Sequence, residues 1–293
     1  MQIGVVFPQT ELGDAAPTDI RRYATTVEQL GFAHLLIYDH VLGADPQAHA
    51  PWNGPYDIDT TFREPFVLLG FVAAVTHLEL TTGVIILPQR QTALVAKQAA
   101  ELALLSDGRV RLGVGLGWNP VEYEALGQAF DRRGRRMTEQ IPLLRRLLTE
   151  RAVTHDGEFD RITAAGLAPL PPAAIPIWIG GQSEPAYRRA GQLADGWFPQ
   201  VPPGQRLDDA KAIVDEAAVE AGRDPAALGM EGRVSWAADG GVDRLIDHVG
   251  RWRDAAATHL SVNTTGAGRR SVDDHLDILT EVAAALGMTH ARQ

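Results

Sequence analysis

Short apolar, β-branched runs recur along the chain, each followed by a longer stretch in which apolar residues return every three or four positions. The runs fall at 2–7, 34–38, 79–87, 110–116, 175–179, 196–199, 229–235 and 259–263. The helical periodicity between them predicts helices at 17–30, 65–76, 92–106, 134–150, 184–193, 206–222, 241–256 and 272–286. Eight strand-then-helix units predict an α/β chain closed as a (β/α)8 TIM barrel, with a doubly wound open sheet as the competing architecture. Two longer connections interrupt the rhythm, residues 41–64 after the second strand and 151–174 after the fourth helix. In a barrel the first lies on the face where active sites are built. It reads equally as a lid or substrate wall and as a surface excursion. Residues 1–293 are expected to form one barrel domain, because barrels of this size commonly do.

The stretch RVRLGVGLGWNPVEYEALG, residues 109–127, departs from an ordinary strand. A dinucleotide fingerprint needs glycines at the first, third and sixth places. Counted from Gly113, the sixth place is Trp118. The glycines therefore need another explanation, and the two-residue period supplies one. Val110, Leu112, Val114 and Leu116 fall on one face, and Gly113, Gly115 and Gly117 on the other. A barrel strand packs its aliphatic face against helices, so the glycines should face the axis. There they either admit a ligand or relieve crowding in the barrel. Trp118 and Asn119 follow at the carboxyl end of the strand, where barrel chemistry sits.

Composition narrows the functional classes. The chain carries a formal net charge of -10, which opposes nucleic-acid or anionic-membrane partners. It contains no cysteine, which removes disulfides, thiolate catalysis and cysteine-ligated metals. No H-x-H or H-E-x-x-H pair suggests zinc, so no metal is expected. The run QIGVVFP lacks a basic leader, and the longest apolar stretch, 66–75, is short of a membrane span. A cytoplasmic protein is expected. The run DRRGRR at 131–136 reads as a solvated helix start.

Three further segments carry candidate chemistry. LLIYDHV ends the second strand in Asp39 and His40, two ionisable groups at a strand's carboxyl end. LELTTGVIILP places Gly83 inside a β-branched run, followed by Val84. IPIWIGGQSEPAYRRAGQLADGW runs a strand into Gly180, Gly181 and Gln182, then opens a helix with Ser183 as N-cap and Pro185 in the first turn. Backbone N–H groups at such a helix start suit an anion.

Over about residues 1–200 these segments, in this order, resemble the luciferase-like monooxygenase superfamily and its coenzyme F-420 (deazaflavin) dependent oxidoreductases. The resemblance implies a barrel holding a deazaflavin or flavin ring at its carboxyl mouth, with a non-prolyl cis peptide at Gly83–Val84 supporting the ring. It implies His40 as general acid/base, a role for which histidine's near-neutral pKa suits it. Asp39 would orient His40, contact the ring or cap the next turn. Gly115, Gly117, Trp118 and Asn119 would lie at the ring, and Gly180, Gly181, Gln182 and Ser183 would bind phosphate. Glu122, in the first turn of a helix after Pro120, is read as favouring the helix dipole. Asp195 is read as structural. Arg63, Arg90 and Lys97 are basic residues available for the deazaflavin's acidic tail if they reach the mouth.

The implied reaction is hydride transfer between coenzyme F-420 and a small organic substrate. The alternative is an FMN-dependent, oxygen-using monooxygenase, which alone would need a flavin reductase as partner. A hydrolase on the same barrel and a flavin-binding protein without catalysis are the readings from other classes. Family members are often homodimers, so a homodimer is implied.

Overall fold

The computed structural model describes residues 1–237 and 239–288. Its elements run β1 (Gln2–Val6), α1 (Gln9–Leu12), α2 (Pro17–Gln29), β2 (His34–Ile37), α3 (Pro65–Ala73), β3 (Glu79–Thr82), β4 (Ile85–Ile86) and α4 (Thr92–Leu105). Next come β5 (Val110–Gly115), α5 (Pro120–Ala125), α6 (Arg133–Thr149), β6 (Val153–Asp156), β7 (Arg161–Ala165), β8 (Ile177–Gly181) and α7 (Glu184–Leu193). The chain continues with β9 (Gly196–Pro199), α8 (Gln205–Glu220), β10 (Gly229–Ser235), α9 (Gly241–Asp254), β11 (His259–Asn263) and α10 (Val272–Ala285).

The large sheet runs β3-β2-β1-β11-β10-β9-β8-β5-β4, and β3 also pairs with β5, which closes the ring. All of its pairings are parallel, as in Leu35 beside Leu80 and Leu80 beside Val110. With β3 and β4 counted as one interrupted strand, this is an eight-stranded parallel barrel with helices between the strands. The open-sheet alternative is thereby overturned.

The expected third strand, 79–87, is split into β3 and β4 on either side of the Gly83–Val84 peptide, which is cis. The expected strand at 175–179 lies two residues later. Pro176 has no N–H to donate to a ladder, and β8 reaches through Gly181. The 151–174 connection holds an antiparallel hairpin, β6–β7, with Glu139 of α6 accepting the Phe159 and Asp160 N–H groups.

The alternation in β5 sorts its side chains as expected up to Gly115. Val110, Leu112 and Val114 join the main core against the helices. The barrel interior holds a second cluster, Val6, Leu36, Trp178 and Phe198, with Tyr38 and Val84 against it. At its amino-terminal end Arg111 enters the axis. It ion-pairs with Glu79 and Glu231 and stacks on Trp178 at 4.4 Å. His34 and Ser261 bond Glu231 from the other side. Buried charges are tolerated only when paired and hydrogen-bonded; here each charge is paired and hydrogen-bonded, while Arg111 Nη2 and His34 Nδ1 have no partner among the described residues. The open end of the barrel is left for chemistry. No described helix is long and apolar enough to cross a membrane.

Candidate active site

A cavity of about 410 Å³ opens at the carboxyl ends of the barrel strands. One wall is backbone, formed by Gly83, Val84, Gly115, Gly117, Gly180 and Gly181. Small-molecule sites fall in the range of about 300–1,000 Å³. Side chains are excluded from this wall for steric reasons. A Cβ at Gly115 would lie 2.5 Å from Val84 Cγ2 and drive it into the cavity. Gly117 has φ +66, a left-handed conformation that turns the chain out of β5. The strand ends at Gly115, and Leu116, expected on the helix-facing side, packs against the main core there and also lines the cavity.

Asp39 sits at the end of β2, 4% exposed. Its Oδ2 accepts the Ile86 N–H at 2.9 Å, and Arg90 clamps the carboxylate through Nη2 at 2.7 Å and Nε at 3.2 Å. Arg90 also pairs with Glu64 at 3.3 Å. These bonds tie the end of β2 to the chain just after the cis peptide. The carboxylate is spent on Arg90, so the structure gives Asp39 a positioning place and not the His40-orienting one.

The carboxylate beside His40 is Glu122, whose Oε1 lies 3.5 Å from Nδ1. Glu122 is 1% exposed and also accepts from Val41 N–H, Leu42 N–H and Gln89 Nε2. Burial opposes its charge, but hydrogen bonds from His40, Gln89 and Val41 outweigh that and hold its pKa below the usual carboxylate range. Glu122 does lie in the first turn of α5, as the dipole reading has it, and its carboxylate is in addition the partner of His40. The spacing Asn119-x-x-Glu122 matches a capping box, and Asn119 does cap α5, accepting from Val121 and Glu122 N–H. Glu122 turns instead to the chain after His40, which no local signal could reveal.

Aromatic rings enclose the other sides of His40. Phe62, Tyr56 and Trp118 lie at ring-centroid distances of 4.7, 5.2 and 5.5 Å. Trp52 adds a further ring 5.7 Å from Trp118. Trp52, Tyr56 and Phe62 belong to the 41–64 connection, which therefore forms a wall of the His40 pocket, while its His49 and Asn53 remain exposed. With Nδ1 turned to Glu122, Nε2 is the nitrogen left without a partner among the described residues, and His40 lines the cavity.

Of the remaining expected residues, Trp118 and Gln182 line the cavity. Two do not. Asn119 is buried, with Oδ1 committed to the cap and Nδ2 donating to Leu42 O at 3.4 Å. Ser183 occupies the N-cap position of α7 but is exposed, and its side chain makes no cap bond. Asp195 is structural, pairing with Arg145 at 2.9 Å and accepting Ile177 N–H. Arg63 donates to Ala15 O, Arg90 is held by Asp39, and Lys97 pairs with Glu101, so none of these basic residues lines the cavity. In DRRGRR, Arg132 and Arg135 both pair with Glu158. The cation that does line the cavity is Arg233 of β10, with Tyr38 and Gln200 nearby. The sequence reading missed all three. Arg233 lies on β10, and Tyr38 and Gln200 directly follow β2 and β9, so their places at the carboxyl ends of barrel strands were the available signal.

Comparison with known proteins agrees with this geometry. Residues 1–268 match the family of luciferase-like monooxygenases. An uncharacterized protein of Mycobacterium tuberculosis is 40% identical over 217 residues, 71% of this chain and 75% of that protein. The F420-dependent glucose-6-phosphate dehydrogenase of Segniliparus rotundus is 28% identical over 240 residues, 79% of this chain and 64% of that protein. Among solved structures, an F420-dependent secondary alcohol dehydrogenase in complex with an F420-acetone adduct shares the fold. Its TM-score is 0.79 at 18% identity, covering 97% of this chain and 98% of that one. Riboflavin lyase, solved with modified FMN and riboflavin, has a TM-score of 0.77 at 14% identity, covering 99% of this chain and 92% of that one. The chain belongs to the luciferase-like monooxygenase family and is an enzyme of that family.

Proposed function

We propose that this oxidoreductase moves a hydride between coenzyme F-420 and a small organic substrate, with His40 handling the accompanying proton. The observation that carries the reading is His40 itself, which faces a glycine-walled cavity with Nε2 unpartnered and a buried carboxylate behind Nδ1. The dependence of a 28% identical relative on F420 supports the choice of cofactor.

The residues present fit a planar ring. The Gly83–Val84 step, Gly115 and Gly180 offer a wall of backbone that a side chain at Gly115 would fill, and Leu116 and Trp118 add apolar surface. Gly180, Gly181 and Gln182, before the first turn of α7, are suited to the phosphate through backbone N–H groups and the helix dipole. Bound there, the deazaflavin supplies a two-electron hydride acceptor or donor.

The protein supplies the rest. His40 Nε2 accepts the proton that leaves a substrate hydroxyl as the carbon gives up hydride, and returns it in the reverse direction. Glu122 stabilises the imidazolium so formed and fixes the ring's orientation. Phe62, Tyr56 and Trp118 exclude water around it. Asp39 and Arg90 hold the wall in place from behind.

The fold shared with an FMN-containing structure makes FMN the competing cofactor. Parallel fluorescence titrations of the purified protein with F-420 and with FMN separate the two. Micromolar or tighter binding of F-420 with FMN much weaker is expected. The reverse preference would overturn the deazaflavin assignment and call for a partner reductase.

A further inference from the structure

Arg233 stands apart from the other arginines near the barrel axis. Arg111 at the floor is neutralised by Glu79 and Glu231, and Arg90 at the rim by Asp39 and Glu64. Arg233 faces the same cavity, yet no carboxylate among the described residues pairs with it. Its one side-chain hydrogen bond among the described residues joins Nη1 to Tyr38 Oη at 3.1 Å. That bond orients the guanidinium and leaves its other donors available. Glu231, two residues earlier on the same strand, is already engaged by His34, Ser261 and Arg111. The charged side chains lining the cavity are thus Asp39, which Arg90 neutralises, and Arg233, which no carboxylate among the described residues neutralises. In a protein with a net charge of -10, this places local positive potential in the cavity.

Position narrows what that charge serves. In the closed ring β1, β2, β3/β4, β5, β8, β9, β10, β11, the Gly83–Val84 step belongs to the third strand and Arg233 to the seventh. They face each other across the mouth, with the glycine turn of β8 on a different arc. Tyr56 lines the cavity beside His40, with ring centroids 5.2 Å apart; burial pushes its phenol up, and the Arg233 guanidinium opposes the shift.

We propose that Arg233 anchors an anionic group of the substrate, so that the enzyme acts on small organic acids whose reacting carbon lies toward His40. Guanidinium pairs bidentately with carboxylate or phosphate, and Arg233 supplies that fork on the wall opposite the cis peptide. Tyr38 and Tyr56 line the space between with flat, partly apolar rings. This inference rests on the cavity being the substrate site of the proposed oxidoreductase. The anionic tail of the cofactor is the competing source of the same chemistry.

Isothermal titration calorimetry with benzoate and its neutral isostere benzamide distinguishes the cases, on apo-protein and on protein preloaded with F-420. Wild type is expected to bind benzoate at millimolar concentration, Arg233→Gln at least about ten-fold more weakly, and Arg233→Lys in between. Benzamide should not separate wild type from Arg233→Gln. Affinity for F-420 should be the same in wild type and Arg233→Gln. Absence of benzoate binding by wild type, or equal binding by wild type and Arg233→Gln, would overturn the proposal. So would loss of F-420 affinity in Arg233→Gln with retained binding of the deazaflavin that lacks phosphate and glutamates, which assigns Arg233 to the cofactor tail. Wild type that binds benzoate through Arg233 but binds no F-420 would refute the cofactor reading alone.

Discussion

Asp39→Asn tests whether this carboxylate acts by holding the cavity wall. Asparagine keeps the size of the side chain and an acceptor for Ile86 N–H, so the substitution removes little beyond the charge facing Arg90. The Asp39 side chain is 1% exposed and Arg90 14%, with the fork closed at 2.7 and 3.2 Å. Two unit charges about 4 Å apart interact by about 4 kcal/mol at an effective dielectric constant of about 20. Removing one partner of a buried pair costs about 3–5 kcal/mol. Arg90 retains Glu64, but that carboxylate is 38% exposed and therefore screened, so the lower end, about 3 kcal/mol, is expected. At about 2–4 °C per kcal/mol, the melting temperature should fall by about 6–12 °C. A double-mutant cycle with Arg90→Met, read by thermal melting, should show a coupling of about 2–3 kcal/mol, because the second substitution removes a charge already left unpaired. Asp39→Asn with an unchanged melting temperature, or an additive cycle, would refute this reasoning and return Asp39 to direct participation in chemistry.

Other outcomes follow from the same geometry. Glu122→Gln should fold normally, because its amide oxygen can accept from Val41 and Leu42, while a flip of Gln89 brings that residue's unpartnered Oε1 to the new amide; steady-state turnover should fall about ten-fold or more as the charge facing His40 is lost. His40→Gln should lower turnover by about 10²–10⁴-fold with cofactor affinity nearly unchanged in a fluorescence titration; wild-type turnover would remove its proposed role. Gly115→Val should weaken F-420 binding about ten-fold or more, because the added Cβ begins 2.5 Å from Val84 Cγ2. His259, whose ring lies 5.0 Å from Trp178, is pushed down to about 4 by burial and then by Arg111. Because an unfolded histidine titrates at about 6.5, the unfolded chain gains this proton first as pH falls, so the stability is complete above about 6.5 and lost on the way down to the folded value. Denaturant midpoints of His259→Gln should therefore depend less on pH than those of wild type across that window, and equal slopes would contradict the assignment.

Much of the architecture was legible because it rests on local periodicity. A two-residue repeat in VRLGVG assigns Val110, Leu112 and Val114 to the helices and Gly113 and Gly115 to the axis without reference to any distant residue. Eight such runs separated by helical patterns led to a closed barrel, and strand-end positions marked His40, Trp118 and the Gly180–Gly181 turn. The cis step at Gly83–Val84 came from family resemblance, and the backbone has it there. Pairing across the barrel follows a different logic. Asp39 meets Arg90 across 51 positions, Val41 meets Glu122 across 81, and Arg233 meets Tyr38 across 195. Periodicity reports which face a side chain occupies and not which face lies opposite. Glu122 was therefore legible as a helix-start carboxylate but not as the partner of His40, and Asn119 read as a ligand, until ring closure brought the chain after β2 over α5. The sequence alone determined eight strand-and-helix units, the axis-facing glycines of β5 and the histidine at a strand's carboxyl end. Only the tertiary structure decided barrel closure, which carboxylate serves that histidine and which arginine at the cavity has no carboxylate partner among the described residues, because partners on different elements are chosen by the closure and register of the sheet.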